Sequence, residues 1–104
     1  MTETTALTPG SRIKFASERN RYTVRAANER FAICTKPFRV YGPDAVVYTI
    51  IDFQQNIRGR ENLIFCAGFC SDEQCSQALD RLASGETKVS HRHRAELDIE
   101  SIAP

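Results

Sequence analysis

The stretch RIKFASERNRYTVRAANERFAICTKP, residues Arg12 to Pro37, decides the fold. Its apolar residues recur at every second position in three short runs separated by polar turns. Ile13 and Phe15 oppose Arg12 and Lys14 in a strand expected at Arg12–Ala16. After the Ser17–Asn20 turn, Tyr22, Val24 and Ala26 oppose Arg21, Thr23 and Arg25 over Arg21–Ala27. Asn28-Glu29 suits a tight turn, and Phe31 and Ile33 then oppose Arg30, Ala32, Cys34 and Lys36 over Arg30–Lys36. Alternation with a period of two, broken by polar turns, predicts an antiparallel meander. Pro37, which has no N–H to give to a ladder, ends it.

C-terminal to this meander the pattern changes. Phe38–Asp44 contains Gly42-Pro43 and reads as a loop. Ala45–Phe53 is apolar on both faces, with Val46, Tyr48 and Ile50 opposite Val47, Ile51 and Phe53, as expected of a central strand covered on both sides. A polar loop, Gln54–Asn62, leads to a short apolar strand at Leu63–Cys66. A helix is expected over about 72–84. Ser71 and Gln74 form a capping box, Asp72 and Glu73 complement the first turn's dipole, and Cys75, Ala78, Leu79 and Leu82 make one apolar stripe. Gly85 is placed to end it in the left-handed conformation. Lys88–Ser90 and Ala95–Ile99 are candidates for closing strands, with Ile102–Pro104 fraying. Residues 1–8 read as a loose polar arm and residues 9–104 as one domain. The class is α+β: a twisted antiparallel sheet of five to six short strands with one helix in the C-terminal half. An open sheet and a closed SH3-like barrel both satisfy this order.

The 104 residues, 41% hydrophobic and 26% charged, describe an ordinary globular domain rather than a disordered chain. The longest apolar stretches, Val46–Ile51 and Leu63–Phe69, are too short to cross a bilayer. The N-terminus lacks the basic and apolar regions of a secretory signal. A cytoplasmic protein with no membrane contact is expected, and its four cysteines are expected to be reduced thiols. Net charge is +1, yet the first sixty residues hold ten Lys/Arg against five Asp/Glu, and the rest hold four against eight. That asymmetry asks where the basic charge lands.

Alternation puts Arg12, Lys14, Arg21, Arg25, Arg30 and Lys36 on one sheet face, a candidate partner-binding surface. An acidic protein patch or a phosphate backbone would fit it, and a plain solvated face is the bland alternative. Its aromatic residues, Tyr22 and Phe31, point to the other face, which leaves no platform for stacked bases. Arg58 and Arg60 around Gly59, and Arg92 and Arg94 in the run His91-Arg-His-Arg94, are candidate loop anchors for a carboxylate or phosphate. Cys34 on the basic face is a candidate reactive thiol. Cys66, Cys70, Cys75, His91 and His93 lack the paired spacing of a zinc site, so no metal and no other cofactor is expected. No phosphate-binding glycine loop, nucleophile elbow or zincin helix is present, and no catalytic residue is assigned.

The strings Tyr22-Thr-Val-Arg-Ala26, Phe31-Ala-Ile-Cys-Thr-Lys-Pro-Phe38, Val47-Tyr-Thr-Ile-Ile-Asp-Phe53, Ile57-Arg-Gly59, Asn62-Leu-Ile-Phe65 and Val89-Ser-His-Arg92 span most of Arg12 to Ile99. In them the chain resembles a group of small uncharacterised proteins encoded by bacteriophages, prophages and plasmids. The Arg39–Ala45 loop and His93 depart from that group. The resemblance implies a setting rather than a chemistry: an accessory protein of a mobile element that binds a host protein or complex. An inhibitor of a defence complex such as a CRISPR effector is one such role. Direct nucleic-acid binding through the basic face is the alternative expectation.

Overall fold

A computed structural model of the protein describes residues 7–43, 45–59, 71–86 and 95–103. In chain order the elements are β1 (Arg12–Phe15), β2 (Tyr22–Ala27), β3 (Phe31–Pro37), a 3-10 turn (Arg39–Tyr41), β4 (Val46–Asp52), β5 (Ile57–Gly59), α1 (Asp72–Ser84), β6 (Ala95–Glu96) and β7 (Ile99–Ala103). The strands form one antiparallel sheet in the order β6-β5-β4-β3-β2-β1-β7. It is an α+β fold in which the sheet curls into a half-barrel of the SH3-like kind. Counting the two-residue β6, the described residues hold seven strands, one more than expected. Two readings change. β5 forms within Gln54–Asn62, whose sequence reads as a loop. The expected closing strand at Ala95–Ile99 divides into β6 and β7, and β7 runs on to pair Ile102 and Ala103 with Ile13 and Arg12, where fraying is expected. Those two strands lie on opposite edges of the sheet, with only Leu97 and Asp98 between them. The C-terminal segment therefore spans from one edge to the other, which ties the curl. The strands expected at Leu63–Cys66 and Lys88–Ser90 lie outside the described residues, as do residues 1–6. Leu7, read as part of the loose arm, is buried in the interior.

Both faces of the sheet are covered. On the convex side α1 lays Cys75, Ala78 and Leu82 on Ala26, Phe31, Ile33 and Ile50. On the concave side Ile13, Phe15, Tyr22, Val24, Ala32, Cys34 and Ile51 fill the curl, joined by Leu7. β4 behaves as its sequence predicts, since Ile50 faces the helix and Ile51 the interior. β3 does not. The face read as basic has Arg30 and Lys36 at its ends, but its middle is Ala32 and Cys34, both fully buried. Small side chains at the middle of β3 leave room on the concave side for the large ones packed with them, Phe15, Tyr22 and Ile51. β2 also departs from simple alternation. A bulge between Val24 and Ala26 shifts the register against β3, so Tyr22 and Val24 face the interior while Ala26 faces the helix. One extra residue reverses every side chain beyond it.

The helix follows its sequence signals closely. The Ser71 Oγ accepts from the Gln74 N–H at 3.1 Å, and the Gln74 Oε1 accepts from the Ser71 N–H at 2.9 Å. Gly85, at φ 85°, turns the chain out of the helix in the left-handed region. Leu82 is buried, whereas Leu79 is half-buried at the rim of the same cluster. Replacing Leu82→Ala should cost about 2–4 kcal/mol in urea melts, with Leu79→Ala costing less. A loss below about 1 kcal/mol for Leu82→Ala would contradict the packing of α1 on β2–β4.

Candidate partner-binding site

The bulge and the curl disperse the cations that alternation had grouped. Arg12 stays on the exposed side of β1 and makes no ion pair among the described residues. Lys14 folds over the β1–β2 turn. Its Nζ donates to the Phe15 carbonyl at 2.9 Å and the Glu18 carbonyl at 2.6 Å, and it pairs with Glu100 at 3.3 Å. Arg21 donates to the Ser101 hydroxyl at 3.4 Å. Arg25, at the bulge, turns toward the helix side, where it pairs with Asp72 and reaches the Thr35 hydroxyl at 3.4 Å. Arg30 grips Asp52 with two parallel bonds of 3.0 and 2.9 Å and lies over the Phe31 ring. Lys36 pairs with Glu18 at 2.9 Å. The expected continuous basic face is thus divided, and four of its six cations are held by carboxylates. Three further candidates, Arg60, Arg92 and Arg94, lie outside the described residues.

The partners explain the charge asymmetry. Glu100, Asp72 and Asp98, which pair with Lys14, Arg25 and Arg58, all belong to the acidic C-terminal part of the chain. Three carboxylates of the acidic half thus fold onto cations of the basic half. Nothing in local periodicity could have shown this, because each of these pairs joins residues forty or more positions apart.

What the fold does bring together is Arg58, Lys36 and Glu18. Arg58 was read as a loop anchor, but it sits on β5 with only 8% of its surface exposed. Its guanidinium stacks 3.9 Å above the Phe15 ring centroid, donates from Nε to Asp98 at 2.8 Å and donates to the Ser17 hydroxyl at 2.8 Å. It also lies 3.7 Å from the second Glu18 oxygen. These three groups line an open cleft of about 650 Å³ at one end of the half-barrel. Tyr22, Phe38, Val47 and Tyr48 supply its apolar walls, and the Lys36 ammonium sits 5.1 Å from the Tyr22 ring centroid. Charge and aromatic surface therefore meet here, on a site that strand alternation had kept apart. Glu18, Phe38 and Tyr48 had not been singled out. The available signal was Glu18 itself, a lone carboxylate in the basic run from Arg12 to Arg25.

The cysteines also differ from expectation. Cys34 lies wholly in the interior, and burial pushes its thiol up to about 12 against the pull of the nearby Arg58 charge. A thiol held protonated there is a packing group, not a nucleophile. Cys75 is disulfide-bonded rather than reduced, which removes its thiolate from any metal site. Cys66, Cys70, His91 and His93 lie outside the described residues. Among the described residues no helix is long and apolar enough to cross a membrane.

Two carboxylates are set for acid sensitivity. Burial pushes Asp52 upward, but the Arg30 hydrogen bonds and the N–H groups of Gln55 and Gln54 outweigh it and hold the carboxyl below its ordinary value. For Asp98 the same upward push of burial is outweighed by Ser17 and Arg58. A lowered folded pKa gives stability that is present above the unfolded value of about 3.9 and lost as pH falls through the folded value. Stability in urea should hold steady down to about pH 4 and then fall. Asp52→Asn should lessen that fall, and an unchanged acid dependence would show that the Arg30–Asp52 pair is not its source.

In comparison with known proteins, the chain matches no family model, no curated protein and no solved structure.

Proposed function

We propose that this protein is a non-enzymatic binding module that holds a segment of a partner protein in the cleft at the end of its half-barrel. The observation that carries the reading is the convergence of Tyr22, Phe38, Val47 and Tyr48 with Lys36, Arg58 and Glu18 around one open cavity. Aromatic walls offer contact area at low entropic cost, and a few fixed charges set orientation, the combination that recognises a peptide segment. Two cations, a carboxylate and aromatic rings form a set for recognition rather than for bond-making. The resemblance to phage, prophage and plasmid proteins supplies the setting, in which the partner is a host protein. A component of a defence complex, a CRISPR effector among them, is a partner of this kind.

A second reading, nucleic-acid binding, is favoured by one feature: the Lys36 ammonium over the Tyr22 ring, beside Tyr48 and Phe38, resembles a base-stacking platform with a phosphate contact. Against it stands the internal pairing of Lys14, Arg25, Arg30 and Lys36, which breaks up the basic face that was to track a backbone. The tagged chain and its variant Lys36→Gln/Phe38→Ser, whose two residues belong to neither core cluster, should be compared as baits in a host lysate treated with nuclease. A protein retained by the native chain after nuclease and reduced at least tenfold by the variant is expected. Equal capture by the variant would reject the cleft. Loss of all capture after digestion would favour the nucleic-acid reading.

A further inference from the structure

Glu18 is the group the cleft does not need for its own architecture. The β1–β2 turn that carries it is fixed through the backbone: the Glu18 N–H donates to the Phe15 carbonyl at 3.1 Å, and the Lys14 ammonium clasps the Glu18 carbonyl at 2.6 Å. Arg58 already has Asp98 and Ser17 at 2.8 Å each, and lies farther from Glu18, at 3.7 Å. What the Glu18 carboxylate does is reach into the cleft and satisfy Lys36 at 2.9 Å while facing the edge of the Arg58 guanidinium. The side chains of Lys36 and Arg58 are mostly buried, at 18% and 10% exposed, whereas that of Glu18 is 30% exposed. The cations are thus the more deeply set part of the arrangement, and the carboxylate is its solvent-facing part.

We propose that Lys36, assisted by Arg58, is a carboxylate-binding subsite whose resident ligand, Glu18, yields to an acidic side chain of a partner protein. This deepens the reading of the cleft as a protein-binding site and rests on it. A single lysine–carboxylate pair whose carboxylate is reached by solvent can exchange one carboxylate for another. Exchanging one carboxylate for another keeps Lys36 paired throughout, so the incoming group meets no unsatisfied buried charge. The aromatic walls beside Lys36 make the partner segment one in which an acidic residue adjoins apolar ones. Glu18 then sets the threshold: a ligand binds the open subsite, and its apparent affinity is reduced by the fraction of molecules in which Glu18 occupies it. It also selects against neutral segments, which can neither replace the pair nor repay its loss.

The test uses the full chain, labelled with nitrogen-15, titrated with a blocked Tyr-Glu-Leu peptide, its Tyr-Gln-Leu counterpart and inorganic phosphate. The amide signals of Lys36, Phe38, Tyr48 and Gly59 report on the cleft. Glu18→Gln should bind the acidic peptide roughly two- to fivefold more tightly than the native chain, the gain expected from releasing one ion pair at the solvent edge of the cleft. Glu18→Ala should show the same gain and so guards against an effect of one replacement side chain, whereas Lys36→Gln should abolish the preference for the acidic peptide. Equal affinity in native and Glu18→Gln proteins overturns the proposal, and so does the absence of saturable shifts with either peptide. Equal binding of both peptides overturns the carboxylate subsite while leaving the cleft a protein-binding site. Shifts with phosphate alone overturn the subsite and the protein-binding reading together.

Discussion

The guanidinium of Arg58 is the point on which the rest of the molecule turns. It lies under the curl of the sheet, stacked on Phe15 of β1, bonded to Ser17 at the start of the β1–β2 turn and paired with Asp98 between β6 and β7. Burying a charge is costly unless its hydrogen bonds and counter-charge are supplied in place. Here the planar guanidinium finds a ring face, a hydroxyl and a carboxylate, a set that an ammonium could not match. Asp98 is anchored in turn: its second oxygen accepts from the Ser17 N–H at 2.9 Å, and its carbonyl accepts from the Ala16 N–H at 2.8 Å. On the other side Leu97 donates to the Asn56 carbonyl at 2.9 Å. Two residues thereby hold both edges of the sheet, and the half-barrel keeps its curl.

This closure explains why the cleft lies where it does. One wall comes from the β1–β2 turn, which Arg58 and Lys14 pin, and another comes from the ends of β3 and β4, where the interior residues give way to Lys36, Val47 and Phe38. Five of the cations among the described residues are drawn into internal pairs, and two of these, Lys36 and Arg58, line the mixed, half-open cleft. A surface of parallel arginines would have suited a polyanion, whereas the proposed protein-binding role rests on a cleft with aromatic walls, two cations and one carboxylate.

Legibility in the sequence follows the range of the interactions. The helix was readable to the residue, because a capping box, an apolar stripe and a terminal glycine are all local signals. β4 was readable because its two apolar faces demand cover on both sides. The bulge at Arg25 was not, since Tyr22-Thr-Val-Arg-Ala alternates cleanly and only the register against β3 reveals the extra residue. The two-sided burial of β3 was hidden by the charges at its ends, which drew attention from Ala32 and Cys34 between them. The candidate site was legible only in fragments. Lys36 and Arg58 stood out by charge, but their meeting with Glu18 depends on a sheet that curls until β5 faces the β1–β2 turn. Likewise, the separation of charge between the halves of the chain looked like a sign of an external partner, and three of its carboxylates meet internal ones.

The most direct measurement of this account is hydrogen exchange on Arg58→Met, which keeps an apolar stem over Phe15 and removes every hydrogen bond of the guanidinium. If Arg58 ties the sheet, protection at Ile99–Ala103 and at Leu97 should fall at least tenfold relative to the amides of α1 and the β3–β4 ladder. Protection that is unchanged at those positions, or lost evenly across the molecule, would contradict the claim that this one guanidinium holds the half-barrel closed.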